Sequence, residues 1–375
     1  MKLSLIIAVA CSIVAEAKVT TVPLKKVDAR KTPLTSYKFQ PDHLINNIFQ
    51  YVAQLSIGTP GQSVEAALDT GSSDLWVFGA NTLDGRSGGY DSSKSSTYKY
   101  LKSGFEIEYV DESTATGDWV TDTITFGSDT VSNLQFAVAT QTNGLDTSDP
   151  VSVFGIGYRQ GESVSSASSE YDNFPQQLQD QGAISQNAYS VYLGPTDGQD
   201  SAILFGGIDR KKINGTLYTV PVLSQSSFTV SVEVGGQRFD GILDTGTSLT
   251  YLPDNVFQPL ADKFGATYDQ SYGLYVLDKL PSEGVDFSFS GAKITLAPEQ
   301  VAFQKEGGKY LFAFLPSSEA QGYNLLGDTF LTSAYVVYDL TKNVIGLAQA
   351  SYSSDTDIVE ITDSGIPGAQ VAPGY

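Results

Sequence analysis

Cysteine, histidine and basic side chains are scarce in this 375-residue chain, and each scarcity excludes a class of chemistry. The single cysteine, Cys11, stands in an N-terminal apolar run that is expected to be removed. The mature chain then has no disulfide, no thiolate nucleophile and no cysteine metal site, and at this size a hydrophobic core suffices to hold it. The single histidine, His43, stands near the start of the expected mature region. Nucleophilic triads need an imidazole within the site, and zinc hydrolases usually need two or three. No metal and no other cofactor is expected. Lys and Arg number 22 against 42 Asp and Glu, a net charge of −20, which makes nucleic acid a poor partner. Carboxylates are what remain for proton-transfer chemistry.

The N-terminus reads as a secretory signal over residues 1–17. Lys2 is followed by the apolar run Leu3 to Val14, too short to span a bilayer, and by the small-x-small pattern Ala15-Glu16-Ala17. No later stretch reaches the ~18 apolar residues of a membrane helix, and the C-terminus lacks a lipid-anchor signal. A secreted, extracellular monomer without a membrane anchor is expected. Residues 18–40 carry six basic side chains and one acidic, a net of +5, whereas residues 41–375 carry 15 basic and 40 acidic, a net of −25. A basic leader on an acidic body reads either as a propeptide held electrostatically, over about 18–43, or as a disordered basic arm.

Strand signals dominate the rest. Tyr51 to Ile57 mixes β-formers and ends at the Gly58-Thr59-Pro60-Gly61 turn. Phe228, Val230, Val232 and Val234 alternate on one face before the Gly235-Gly236 turn. Helices are expected over Phe174 to Gln181 and Asn255 to Phe264, the second weakened by Pro259. The Gly- and Pro-containing tail 363–375 reads as disordered. Asn214-Gly-Thr216 is a glycosylation sequon suited to a surface loop.

A repeat runs through this β-rich chain. Leu68-Asp-Thr-Gly-Ser-Ser matches Leu243-Asp-Thr-Gly-Thr-Ser. Val153-Phe154-Gly155 follows the first copy, with Gly155 86 residues after Asp69, and Leu325-Leu326-Gly327 follows the second, with Gly327 83 residues after Asp244. One Asp-Thr-Gly is an ordinary turn; two with matched followers indicate a duplicated lobe. Asp69 and Asp244 supply carboxylates. The threonines can tie one loop to its mate, and Gly71 and Gly246 let backbone N–H groups approach the carboxylates. Ser72 and Thr247 can reach the outer carboxylate oxygens. Two carboxylates brought together share a proton, one serving as general base and the other as general acid.

From roughly Ile45 to Thr362 the chain resembles the pepsin family of aspartic proteases, with Asp69-Thr-Gly-Ser-Ser and Asp244-Thr-Gly-Thr-Ser as paired signatures. Tyr171-Asp-Asn-Phe-Pro, Asn187-Ala-Tyr-Ser-Val-Tyr-Leu193 and Leu204-Phe-Gly-Gly-Ile-Asp209 resemble the candidapepsins and yapsins of yeasts. The resemblance implies a mostly β, bilobal fold with pseudo-twofold related lobes, here 44–215 and 216–362, and a cleft for polypeptide substrates. It implies catalytic Asp69 and Asp244, and substrate-binding Gly71, Tyr109, Asp111, Gly246, Thr247 and Ser248. It places Tyr109 on a flap, with Trp76 as its contact. It also implies a prosegment lysine over the two carboxylates, for which Lys38 is the best candidate and Lys25-Lys26 and Arg30-Lys31 are alternatives that also read as dibasic processing sites. Two departures stand out. The flap tip Val110-Asp111-Glu112-Ser113 lacks the family's glycines, and the usual disulfides are absent.

Two other readings compete. An inactive pepsin-like binding protein typically loses one catalytic Asp, and both are present. Asp-x-Gly-Thr/Ser loops also hold phosphate in sugar kinases and actin-like ATPases, but a secretory signal and the lack of a sheet-and-helix pattern oppose that. Bond preference stays open between broad cleavage and cleavage at basic residues.

Overall fold

The computed structural model describes residues 18–28, 48–83, 88–127, 129–145, 151–164, 166–195 and 200–375, with 304–306 as backbone only. The expected signal over 1–17 and residues Arg30, Lys31, Lys38 and His43 lie outside the described residues.

Among the described residues, fourteen strands form one large sheet. Ten of them are β1 (Thr20–Asp28), β2 (Phe49–Ile57), β3 (Gln62–Asp69), β4 (Leu75–Phe78), β5 (Lys99–Glu108), β6 (Thr114–Phe126), β7 (Asp129–Asn143), β8 (Ser152–Gly155), β9 (Ala188–Tyr192) and β10 (Ser201–Phe205). The order runs from Gln370–Val371 through Ile213–Pro221, Val344–Ala350 and Ala334–Asp339 to β9, β10, β1, β2, β3, β8, β4, β7, β6 and β5. A second, seven-stranded sheet contains Thr229–Val234, Gln237–Leu243, Leu325–Leu326 and Thr250–Leu252 as neighbours in that order.

Local sequence explains these elements. In Thr229–Val234 the alternating Val230, Val232 and Val234 are all buried, as is Phe228 just before it, because a strand sends every second side chain to the core. Gly235 and Gly236 both take positive φ, 60° and 80°, the pairing that a two-residue hairpin turn of matching twist requires. Helices α1 (Phe174–Asp180) and α2 (Asp254–Phe264) fall where the sequence places them, and α2 tolerates Pro259 in its interior.

The two halves repeat one pairing scheme. β3 runs parallel to β8 with Leu68 opposite Phe154 and Asp69 opposite Gly155, and β8 pairs antiparallel with β4. Gln237–Leu243 runs parallel to Leu325–Leu326 with Leu243 opposite Leu326, and that strand pairs antiparallel with Thr250–Leu252. The repeated hydrophobe-hydrophobe-Gly is thus the strand beside each Asp-bearing strand. Its glycine is needed for space: a Cβ on Gly155 would lie 2.5 Å from the Asp74 carbonyl oxygen, and one on Gly327 would lie 2.1 Å from that of Leu249.

The tail corrects the sequence reading. Instead of being disordered, Gln370–Val371 adds in parallel to Ile213–Pro221, and Ala372 is buried. Gly374 N–H donates to the Ser290 carbonyl at 2.8 Å. Backbone pairing needs no apolar side chains, so composition misses it. Asn214 is exposed, but in the strand Ile213–Pro221 rather than a loop, beside a bulge between Asn214 and Tyr218.

Candidate active site

The two Asp-Thr-Gly loops meet where the Asp-bearing strands end. Thr70 N–H donates to Thr245 Oγ1 and Thr245 N–H to Thr70 Oγ1, both at 3.0 Å. Each hydroxyl then donates across the junction, Thr70 to the Leu243 carbonyl and Thr245 to that of Leu68, both at 2.9 Å. Four buried hydrogen bonds thus lock the loops together, each worth on the order of 1 kcal/mol.

Within each loop the carboxylate is held from two sides. Gly71 N–H donates to Asp69 Oδ1 at 2.8 Å and Gly246 N–H to Asp244 Oδ1 at 2.9 Å. The Ser72 hydroxyl donates to Asp69 Oδ2, and the Thr247 hydroxyl to Asp244 Oδ2 at 2.6 Å. The glycines also make room for the opposite acid. A Cβ on Gly71 would sit 2.5 Å from Asp244 Oδ1, and one on Gly246 would sit 2.5 Å from Asp69 Oδ1.

Electrostatics follow from this geometry. Both carboxyl groups are buried. Burial first, and the Asp244 charge second, push the Asp69 carboxyl up to about 7, against the lowering effect of the Ser72 and Gly71 hydrogen bonds. Like charges this close cannot both ionise readily, which is part of why the Asp69 carboxyl keeps its proton to higher pH than a free one.

A hairpin made by β5 and β6 supplies Tyr109 at its end. The Trp76 indole N–H donates to Tyr109 Oη at 2.7 Å, and Trp76 is fully buried. Burial, with the Asp69 charge next, holds the Tyr109 phenol well above its usual range, so it stays neutral. The glycine-free tip is a real turn: Glu112 N–H donates to the Tyr109 carbonyl at 2.9 Å and Tyr109 N–H to that of Ser113 at 3.0 Å. Glu112 takes the left-handed position, φ 63°, where glycine is favoured. Asp111 Oδ1 accepts from Ser113 N–H at 3.1 Å and from its hydroxyl at 2.6 Å, so Asp111 braces the tip. Across the lobes, Gln321 Nε2 donates to the Val110 carbonyl at 3.0 Å.

Gly71, Gly246, Thr247, Ser72 and Tyr109 thus gather around the two acids, with Trp76 bonded to Tyr109. Ser248 does not. Expected to bind substrate, it is buried, accepts from Ile48 N–H at 3.0 Å and donates to the Phe49 carbonyl at 2.7 Å. It anchors the start of β2, because the residue after Thr247 points to the opposite side of the chain.

Sequence reasoning missed the buried acids outside the pair, among them Asp328, Asp74 and Glu162. Asp328 lies fully buried, with neither carboxyl oxygen hydrogen-bonded. Burial, then the Asp244 charge, holds it well above the usual carboxylate range. Asp74 accepts from Tyr171 Oη and Ser163 N–H, both at 2.7 Å, and burial raises it. Glu162 accepts from Tyr171 N–H at 2.8 Å, and burial pushes it up to about 8. The available signal was position: Asp74 follows Asp69 by five residues, and Asp328 directly follows Gly327.

Among the described residues no group of three or more His, Cys, Asp and Glu is arranged to hold a metal ion. No described helix is long and apolar enough to cross a membrane.

Comparison with known proteins agrees with this geometry. A family model for eukaryotic aspartyl proteases matches residues 50–350. The chain is 37% identical over 347 residues to secreted aspartic protease 3 of Candida albicans, covering 86% of this chain and 85% of that one. It is 37% identical over 329 residues to an acid protease of Saccharomycopsis fibuligera, covering 82% and 83%. Among solved structures, the aspartic proteinase from Irpex lacteus superposes with a TM-score of 0.71 at 24% identity, over 90% of this chain and 98% of that one, and shares the bilobal β fold.

Proposed function

Because the chain belongs to the eukaryotic aspartyl protease family and is an aspartic-type endopeptidase, we propose that it is secreted, that it cuts polypeptides in acid, and that Asp69 and Asp244 are its catalytic pair. The observation that carries this reading is the mutual packing of the two carboxyl groups, each against the other loop's glycine.

The chemistry is direct attack by water. The ionised member of the pair takes a proton from a water held between the two acids as its oxygen bonds to the scissile carbonyl carbon. The protonated member gives its proton to the carbonyl oxygen. The resulting gem-diol collapses as one hydroxyl returns its proton to a carboxylate, the peptide nitrogen is protonated, and the C–N bond breaks. The pair ends with the single proton it began with. Gly71, Gly246, Thr247 and the Tyr109 hairpin contact an extended peptide in the cleft; Asp111 acts by bracing the turn.

Activation is proposed to follow a cut within the basic segment 18–43 in acid. Carboxylates on the acidic body lose charge as pH falls through about 4, and Lys38 loses its attraction to the site. The Asn214 sequon carries the proposed glycan, on an exposed side chain. Digestion of a peptide library across pH tests the reading: cleavage confined to acid and stopped by a statine-type mimic of the gem-diol is expected, and cleavage that peaks at neutral pH and ignores the mimic refutes it.

A further inference from the structure

We propose that Gln321 is a positioning residue for the cleft: it ties the tip of the Tyr109 hairpin to the second lobe in the free enzyme, and a polypeptide enters when that latch lets go. The inference rests on the protease reading and concerns the same cleft.

The hairpin is held at two levels. At its base, Phe105, Ile107 and Tyr109 pack with Trp76 and Trp119 of their own lobe. Val110, the next residue, leaves that cluster and packs against the large core that runs into the second lobe. Its carbonyl accepts from Gln321 Nε2 at 3.0 Å. Burial, then the Glu319 charge and that of Asp111, raise the Tyr251 phenol. An acid of the tip and an acid of the opposing loop thus stand near one buried ring of the second lobe.

The loop that carries Gln321 is tightly made. Ser317 and Ala320 are buried. Gly322 N–H donates to the Ser317 carbonyl and Tyr323 N–H to that of Ala320, both at 2.8 Å. Ser318 N–H donates to Asp254, at the start of α2, at 3.3 Å. The backbone is therefore set before the latch forms, and only the Gln321 side chain has freedom to lose.

Backbone strain lies at both ends of the bond. Gln321 has φ 52° and Glu112, two residues after Val110, has φ 63°. Glycine fits such positions more easily, but glycine at 321 would supply no donor. The donor is also suited to an enzyme working in acid. A primary amide does not titrate, unlike the Asp111, Glu112 and Glu319 carboxyl groups around it, so the bond survives a change of pH.

A long polypeptide cannot thread lengthwise beneath a closed tip, so its middle reaches the two acids only after the tip lifts. The net worth of one hydrogen bond shifts a closed-to-open ratio roughly fivefold.

Two measurements test this. The first is steady-state kinetics on a long polypeptide at acid pH. Gln321→Ala should raise kcat/KM roughly fivefold, through KM, with kcat little changed. Gln321→Glu keeps the bulk but donates only while protonated. Its kcat/KM relative to the parent should be near one well below the ordinary glutamic acid value of about 4.3 and climb toward the alanine result above it. An unchanged or lower kcat/KM in Gln321→Ala, or a ratio for Gln321→Glu that is flat with pH, overturns the proposal. The second measurement needs no activity, so it decides the latch even where the protease reading fails. Spin labels are placed on Glu112→Cys and Tyr323→Cys, both exposed positions, in a Cys11→Ser chain that has no other cysteine. Pulsed electron resonance should give a narrow tip-to-loop distance with Gln321 present and a broader, longer one in Gln321→Ala. The same distribution in both overturns the latch.

Discussion

Thr70 and Thr245 each accept the other's backbone N–H at 3.0 Å, and each spends its hydroxyl proton on the strand beyond. Replacing either with valine keeps the shape but leaves a buried N–H and a carbonyl without partners. Each substitution should cost about 1–3 kcal/mol. The double variant should cost less than the two singles together, because both remove members of one network. Urea denaturation checks this; single variants within 0.5 kcal/mol of the parent, about the scatter of surface changes, contradict it.

The flap tip concentrates its backbone strain at one residue. Glu112 has φ 63°, and Val110 and Asp111 do not have positive φ. Glu112→Gly should therefore stabilise the turn by up to about 1 kcal/mol, whereas Val110→Gly removes only a side chain. Restoring both glycines should alter turnover or KM and leave the cleaved bonds the same. Asp111→Ala, which releases Ser113, should raise KM. Cleavage mapping and steady-state kinetics read these effects, and a new set of cleaved bonds in the double-glycine variant would show that the tip selects sequence.

Stability should fall as pH rises toward neutrality. Burial pushes Glu162 up to about 8, with Asp74 nearby raised in the same direction, and the Arg159 charge only partly offsets this. A carboxyl raised above its unfolded value of about 4.3 holds its proton in the fold after the unfolded chain has lost it. The native state then binds more protons, and stability declines with pH through that interval. Tm should be highest near or below pH 4.5 and drop by pH 8, with a flatter profile in Glu162→Gln. A Tm that rises between pH 5 and 8 contradicts this.

Much of the site was legible because its determinants are local. Asp-Thr-Gly carries its carboxylate, its tie and its close-approach glycine within three residues, and the matched spacing to Gly155 and Gly327 exposes the duplication. What stayed hidden depends on distant partners. β1 is defined by Phe205, 185 residues beyond Thr20, and its lysines and Pro23 mask the inward Thr20, Val22 and Leu24. Ser248 was grouped with Thr247 by adjacency, although neighbouring side chains in an extended loop diverge. Asp328 and Glu162 look like any other acid until burial removes their solvent.

The most direct test of the account is hydrolysis of a peptide substrate at acid pH by Asp69→Asn and Asp244→Asn, with Tm measured alongside. Each amide keeps the size of the acid but cannot take a proton from water or share one. Both variants should remain folded, with Tm close to the parent or higher since a buried charge is relieved, and each should lose at least ~10³-fold in kcat/KM, within the range that positioned acid–base groups supply. A folded Asp69→Asn or Asp244→Asn enzyme that keeps activity within tenfold of the parent contradicts the assignment of these two carboxyl groups as the catalytic pair.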